Sequence, residues 1–144
     1  MTAKEYLDQA KFYEIKIQRY CDELNELEAM KGAIHSPDIT GVRVQTSPNP
    51  DRIVNTLIKI EEKQEKIAGL IEQEFDFKMK ITDEIHDLDN PQFISILYLR
   101  YVKRLSWNEI GKAMDRNVRY VQHLNGQALN EFYEIHHERL HLTK

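Results

Sequence analysis

Two apolar seams, held apart by a proline- and glycine-bearing stretch, most restrict what this chain can become. From Tyr6 the apolar positions step by four and three, through Ala10, Tyr13, Ile17, Tyr20, Leu24 and Leu27. That heptad pattern belongs to a helix that packs along one stripe. A second seam runs through Ile53, Leu57, Ile60, Gln64, Ile67 and Ile71, and continues less cleanly through Ile81, Ile85 and Leu88. Between them lies Gly32 to Pro50, with Ser36-Pro37, Gly41 and Ser47-Pro48-Asn49-Pro50. Proline there forbids one continuous helix. The expectation is two long helices packed antiparallel like a coiled coil, joined by a loop over 33–50.

The register can be sketched. With Leu27 opposite Leu57, Leu24 meets Ile60, Tyr20 meets Gln64 and Ile17 meets Ile67. Tyr20 and Gln64 are then expected as polar partners inside the seam. A two-helix pair alone buries little surface, so it is expected to gain from self-association as a homodimer or higher homo-oligomer, or from docking on the C-terminal helices. The seam also reads as a groove for a partner helix. In the loop, Val42-Arg43-Val44 alternates like a short strand, against a disordered reading; its length favours disorder or a contact role.

The last third carries sharper signals. Asn90-Pro91 is a helix start, a capping side chain followed by proline at the first helical position. Phe93, Ile94, Leu97, Tyr98 and Tyr101 mark the apolar face of a helix expected to end near Lys103-Arg104. Ser106 with Glu109 three residues later predicts a capping box opening a short helix from Trp107 to Met114. Asp115-Arg116-Asn117 is a tight connection, and Asn117 caps a helix starting at Val118. That helix is expected to bury Val121, Leu124, Ala128, Leu129 and Phe132. A supporting helix, a short helix, a very short turn and a further helix give the layout in which the last helix enters a major groove.

On that helix Val118, Arg119, Gln122, His123 and Asn125 are expected to point away from the core. Val118, Arg119, Gln122 and His123 are the candidate base contacts; Arg119 and Gln122 carry the groups that read guanine and adenine edges. Arg104, Lys112, Arg116 and Tyr120 are the candidate phosphate contacts. Each also reads as an ordinary surface residue, Tyr120 as a wedge against the preceding helix. Trp107 reads as partly buried packing or as a stacking platform. Gly126 costs helix stability, which a close approach to a neighbouring helix or to DNA explains.

Leu105-Ser106-Trp107-Asn108-Glu109-Ile110-Gly111 resembles the "LSxxEIA" segment of sigma-factor region 4. The usual "GVS" turn is Asp115-Arg116-Asn117 here, and the small residue after "EI" is Gly111. The architecture more narrowly resembles small phage and prophage proteins related to the ArpU and RinA late-transcription regulators. The matching residues are Ser47-Pro48-Asn49-Pro50-Asp51, Ser106-Trp107-Asn108-Glu109-Ile110, Val118-Arg119-Tyr120-Val121 and Gly126-Gln127-Ala128-Leu129. The resemblance covers roughly residues 30–133 and implies a DNA-binding regulator of phage late or packaging genes.

Charge fits a division of labour. The 144 residues carry a net charge of −4. Residues 1–90 hold 12 Lys/Arg against 19 Asp/Glu, while residues 91–144 hold 8 against 5. An acidic part, 1–88, expected to serve oligomerisation or partner binding, is thus joined to a modestly basic part, 89–144, able to meet phosphates. The fold class expected is all-α. Double-stranded DNA is the expected partner, with RNA polymerase as the alternative for an accessory protein that binds little DNA itself.

Other classes find no support in the residues. No Gly-rich phosphate loop, zinc-protease motif or nucleophile elbow occurs, so no enzyme and no cofactor is expected. His137 and His141, four apart, suggest a shared ion, but no Cys or spaced carboxylate completes a site. The histidines His136, His137 and His141 read instead as a polar, frayed tail. One cysteine, Cys21, forms no internal disulfide, and no long apolar run occurs; a cytoplasmic setting is the expectation.

Overall fold

Helix ends are set by side chains that satisfy the first free N–H groups. The computed structural model describes residues 1–35 and 50–144, without the side chains of 33–35. The loop features at Ser36-Pro37, Gly41, Val42-Arg43-Val44 and Ser47-Pro48-Asn49 lie outside the described residues. The fold is all-α: helices α1 (Ala3–Leu7), α2 (Gln9–His35), α3 (Pro50–Ile85), α4 (Pro91–Leu97), α5 (Trp107–Met114) and α6 (Val118–Leu140), with a π-helical turn at Tyr98–Val102. Among the described residues no strand occurs, only an isolated bridge between Thr2 and Thr143. No described helix is long and apolar enough to cross a membrane.

The chain forms two compact units, Met1–Phe12 with Glu74–Lys144, and Tyr13–Gln73. This differs from the expected division at residue 88. The first turns of the chain and the last part of α3 share a core with the C-terminal helices. Tyr6, Leu7, Ile81, Ile85, Ile96, Leu97, Tyr101, Ile110, Val121 and Phe132 are all buried in it. Tyr6 meets Phe77 edge-on, with ring centroids 6.0 Å apart, and lies 6.2 Å from Phe132. Pairs so distant along the chain leave no local periodicity to read.

In this unit the full capping box falls at Thr2 and Glu5, not at Ser106. The Thr2 N–H donates to Glu5 Oε2 at 2.8 Å, and the Glu5 N–H to Thr2 Oγ1 at 3.2 Å. The bond from the Thr2 backbone holds the Glu5 carboxyl below its ordinary range. The C-terminal tail is not frayed. Leu142 is buried and the Thr143 N–H donates to the Met1 carbonyl at 2.8 Å.

His136, expected in that tail, is buried as well. Arg139 Nη2 lies 3.1 Å from His136 Nδ1 and, as a donor, makes Nδ1 the acceptor. His136 Nε2 then donates to the Glu84 carbonyl at 2.9 Å. Among the described residues no three His, Cys, Asp or Glu side chains converge on a metal-holding position.

In the second unit Glu23 pairs with Lys63 at 2.6 Å, and Lys63 and Lys66 lie over the Tyr20 ring at 5.2 and 5.8 Å. Tyr20 and Glu23 of α2 thus face Lys63 and Lys66 of α3. On α2 the expected seam is the half-buried row: Tyr13, Ile17, Tyr20, Leu24 and Leu27. On α3 the row is Ile53, Thr56, Ile60, Lys63, Ile67 and Leu70. Leu57 and Ile71 are exposed, and so is Gln64, which therefore is not the inward partner of Tyr20. The expected seam follows apolar identity. The observed one keeps the seven-residue repeat and accepts Thr56 and the stem of Lys63, a side chain able to bury its methylenes while its ammonium reaches Glu23.

Candidate nucleic-acid interface

Four short-range features build the C-terminal surface. Asn90 Oδ1 accepts from the Gln92 N–H at 2.9 Å and Pro91 opens α4. The α-helix then widens into the π turn, Lys103 N–H reaching the Tyr98 carbonyl at 3.0 Å. Ser106 Oγ caps α5 by accepting from the Glu109 N–H at 3.2 Å. Asn117 Oδ1 caps α6 by accepting from the Tyr120 N–H at 2.7 Å.

The connection between α5 and α6 is tight. Asp115 adopts the left-handed conformation, φ 54°, and the Arg116 N–H returns to the Gly111 carbonyl at 2.9 Å. A Cβ on Gly111 would stand 2.8 Å from the Arg116 carbonyl oxygen. Glycine is therefore what lets the turn close on α5. Asn108, Gly111, Lys112, Arg116 and Val118 line an open hollow of about 620 Å³ beside this turn.

The sequence-derived candidates divide. Arg119, Gln122 and His123 are exposed on the first turns of α6; Val118 is half-buried at its edge. Lys112 and Arg116 are exposed, and the Arg116 guanidinium lies 5.1 Å from the centroid of the Tyr120 ring. Tyr120 is 37 % exposed, a platform for Arg116 and not a buried wedge. Trp107 is half-buried with the Arg100 guanidinium 4.2 Å from its ring centroid.

Two expectations are overturned. Arg104 faces inward: its Nη1 pairs with Asp8 at 3.2 Å, its side chain is 18 % exposed, and its φ is 59°. It sits at the left-handed position that closes the helix, where the next N–H, that of Leu105, returns to the Leu99 carbonyl at 3.1 Å. It is a structural ion-pair residue. Asn125 is buried, with Nδ2 donating to the Tyr101 hydroxyl at 3.3 Å. Its place four residues after Val121 and three before Ala128 puts it on the core side.

Three further residues on this surface are not among the contacts expected from the sequence. Asn108 shares the hollow with Lys112 and Arg116. Gln127 and Asn130 are exposed, and Asn130 follows Arg119 by 11 residues, three helical turns on the same face. The spacing from Arg119 is the signal that points to it. Compared with protein-family models, curated proteins and solved structures, the chain gives no match.

Proposed function

We propose that this chain is a sequence-specific, DNA-binding transcription regulator that reads the major groove with the N-terminal part of α6. In this reading α5, the turn at 115–117 and α6 act as a helix-turn-helix. The observation that carries it is the exposed row of Arg119, Gln122 and His123 on a helix directly behind a turn that carries Arg116, with Lys112 exposed on the last turn of α5 before it. Arg119 and Gln122 have the donors and acceptors to pair with base edges, and Lys112 and Arg116 have the charge to meet phosphates. The sequence resemblance to ArpU- and RinA-like proteins supports phage late or packaging genes as the targets.

The excess of basic over acidic residues in 91–144 is small, so a single module is expected to bind weakly. Tight binding then requires two modules joined in a homodimer, reading half-sites about one helical turn apart. The exposed apolar residues Val54, Leu57, Ile58 and Ile71 of α3 support self-association.

Selection from a random duplex pool with the purified protein, at stated salt, tests the proposal. A recovered motif, lost on Arg119→Ala/Gln122→Ala substitution, is the expected result. A double variant that binds the selected duplex unchanged would remove this docking mode. The acidic charge of residues 1–90 favours a second reading, an accessory protein acting through RNA polymerase. Polymerase binding with no duplex binding at low salt would select it.

A further inference from the structure

We infer that Gly126 is the point at which the sugar–phosphate backbone of bound duplex DNA passes closest to α6, and that its missing Cβ is a condition of docking. The inference rests on the DNA-binding reading above and deepens it.

Glycine in a helix interior is among the least stable choices, exceeded only by proline. Intrachain packing does not explain it here: a Cβ built on Gly126 meets nothing within 4 Å. Nor does the backbone, since Gly126 has no positive φ and lies inside α6. Gly126 is exposed and follows Arg119 by seven residues, two helical turns, so it lies on the same outward face.

Distance along the helix says what passes there. Gly126 is eight residues beyond Val118, about 12 Å at the α-helical rise. A major groove is about 8.5 Å deep. A helix lying tilted in the groove by roughly 45°, with its first residues at the base edges, therefore reaches the rim, where the phosphates run, at about the level of Gly126.

The surroundings fit that occupant. From Val118 to Asn130, α6 carries no carboxylate, and the first exposed one on the helix is Glu134. The exposed neighbours of Gly126 one turn away are Gln122, His123 and Asn130, with the half-buried Leu129 on its core side. Gly32 and Gly69 are as open. They lie one turn from Glu28 and from Glu65 and Glu72, which would repel a phosphate.

The test measures Gly126→Ala and Gly126→Leu beside Arg119→Ala, by thermal melting and by titration of a labelled duplex recovered from the random pool. Expected for Gly126→Ala is a melting temperature raised by roughly 2–6 °C. Its affinity for the duplex falls on the order of tenfold, as when one or two phosphate interactions are removed, and Gly126→Leu binds more weakly still. Stability and binding moving in opposite directions is a result that loss of folding does not produce. If both Gly126 variants bind like the parent while Arg119→Ala loses binding, the inference is overturned and the DNA-binding reading stands. If the parent protein binds no duplex at low salt, both fall.

Discussion

The phenolic hydroxyl of Tyr6 donates to Oε1 of Glu84 at 2.5 Å, across 78 residues of sequence, in the interior of the unit that also holds α6. The other carboxylate oxygen accepts from Arg139 Nη2 at 2.8 Å. One buried carboxylate thereby ties the first turn of the chain, the end of α3 and the end of α6 together. A buried charge is tolerated when both oxygens are hydrogen-bonded and a counter-charge is near, and Glu84 has all three.

Tyr6→Phe keeps the ring packing and removes the only donor to Oε1 that the structure shows among the described residues. Leaving that oxygen unsatisfied is expected to cost about 1–3 kcal/mol, read as a lower midpoint in urea. The pH dependence has a definite sign. Burial, and then the hydrogen bond and charge of Glu84, push the Tyr6 phenol well above its ordinary value of 10.0. The folded state holds that proton more tightly than the unfolded chain, so its contribution is complete below about pH 10 and falls as pH rises further. The stability gap between the parent and Tyr6→Phe is expected to narrow above that pH; a constant gap would contradict the assignment.

Arg104 offers a comparison between a structural cation and the cations proposed to meet phosphates. Its pair with Asp8 is partly exposed, so Arg104→Ala is expected to cost only about 1 kcal/mol. Arg104→Gly removes the same pair but relieves a left-handed side-chain conformation, and is expected to melt above Arg104→Ala. Neither changes the slope of log affinity for DNA against log salt. Lys112→Ala and Arg116→Ala each lower that slope by about 1, the change expected when one cation no longer meets a phosphate. A reduced slope for Arg104→Ala would restore it to the proposed DNA surface.

What is legible in the sequence is local. Caps at Asn90, Ser106 and Asn117 place three helix starts within a residue, because each cap is written within a few positions of the N–H it serves. The exposed row Arg119, Gln122 and His123 follows from helical spacing alone. Arg104 escapes such reading because its partner, Asp8, is 96 residues away and it follows a π turn that no local pattern announces. Asn125 escapes it because polarity suggests exposure, whereas its amide meets the Tyr101 hydroxyl in the core.

The seam on α3 gives a third test. Ile60 is 6 % exposed, while Leu57 and Ile71 are 42 % and 52 % exposed. Ile60→Ala is expected to cost about 2–4 kcal/mol, and Leu57→Ala or Ile71→Ala within about 0.5 kcal/mol in dilute protein. Equilibrium unfolding at two protein concentrations checks both. A Leu57→Ala loss that grows with protein concentration would show this face covered by a second copy, as the proposed homodimer requires.

Gly111 and Gly126 make opposite demands on the same substitution. At Gly111 the added methyl meets the Arg116 carbonyl oxygen at 2.8 Å and then the Val118 nitrogen at 3.8 Å, both backbone atoms. Neither can rotate away, so relief requires the turn to move outward. Gly111→Ala is expected to cost about 1–3 kcal/mol, the usual range for overpacking. The displaced segment carries Arg116 and the Asn117 cap of α6, so the row headed by Arg119 moves with it. DNA affinity, measured at a temperature where the variant is fully folded, is expected to fall as well, because the groups on both sides of the turn lose their common register. Serine at the same position adds a larger side chain and is expected to lose more of both. A Gly111→Ala protein with parental stability would mean that α5 and the turn are not held as closely as the 2.8 Å approach requires.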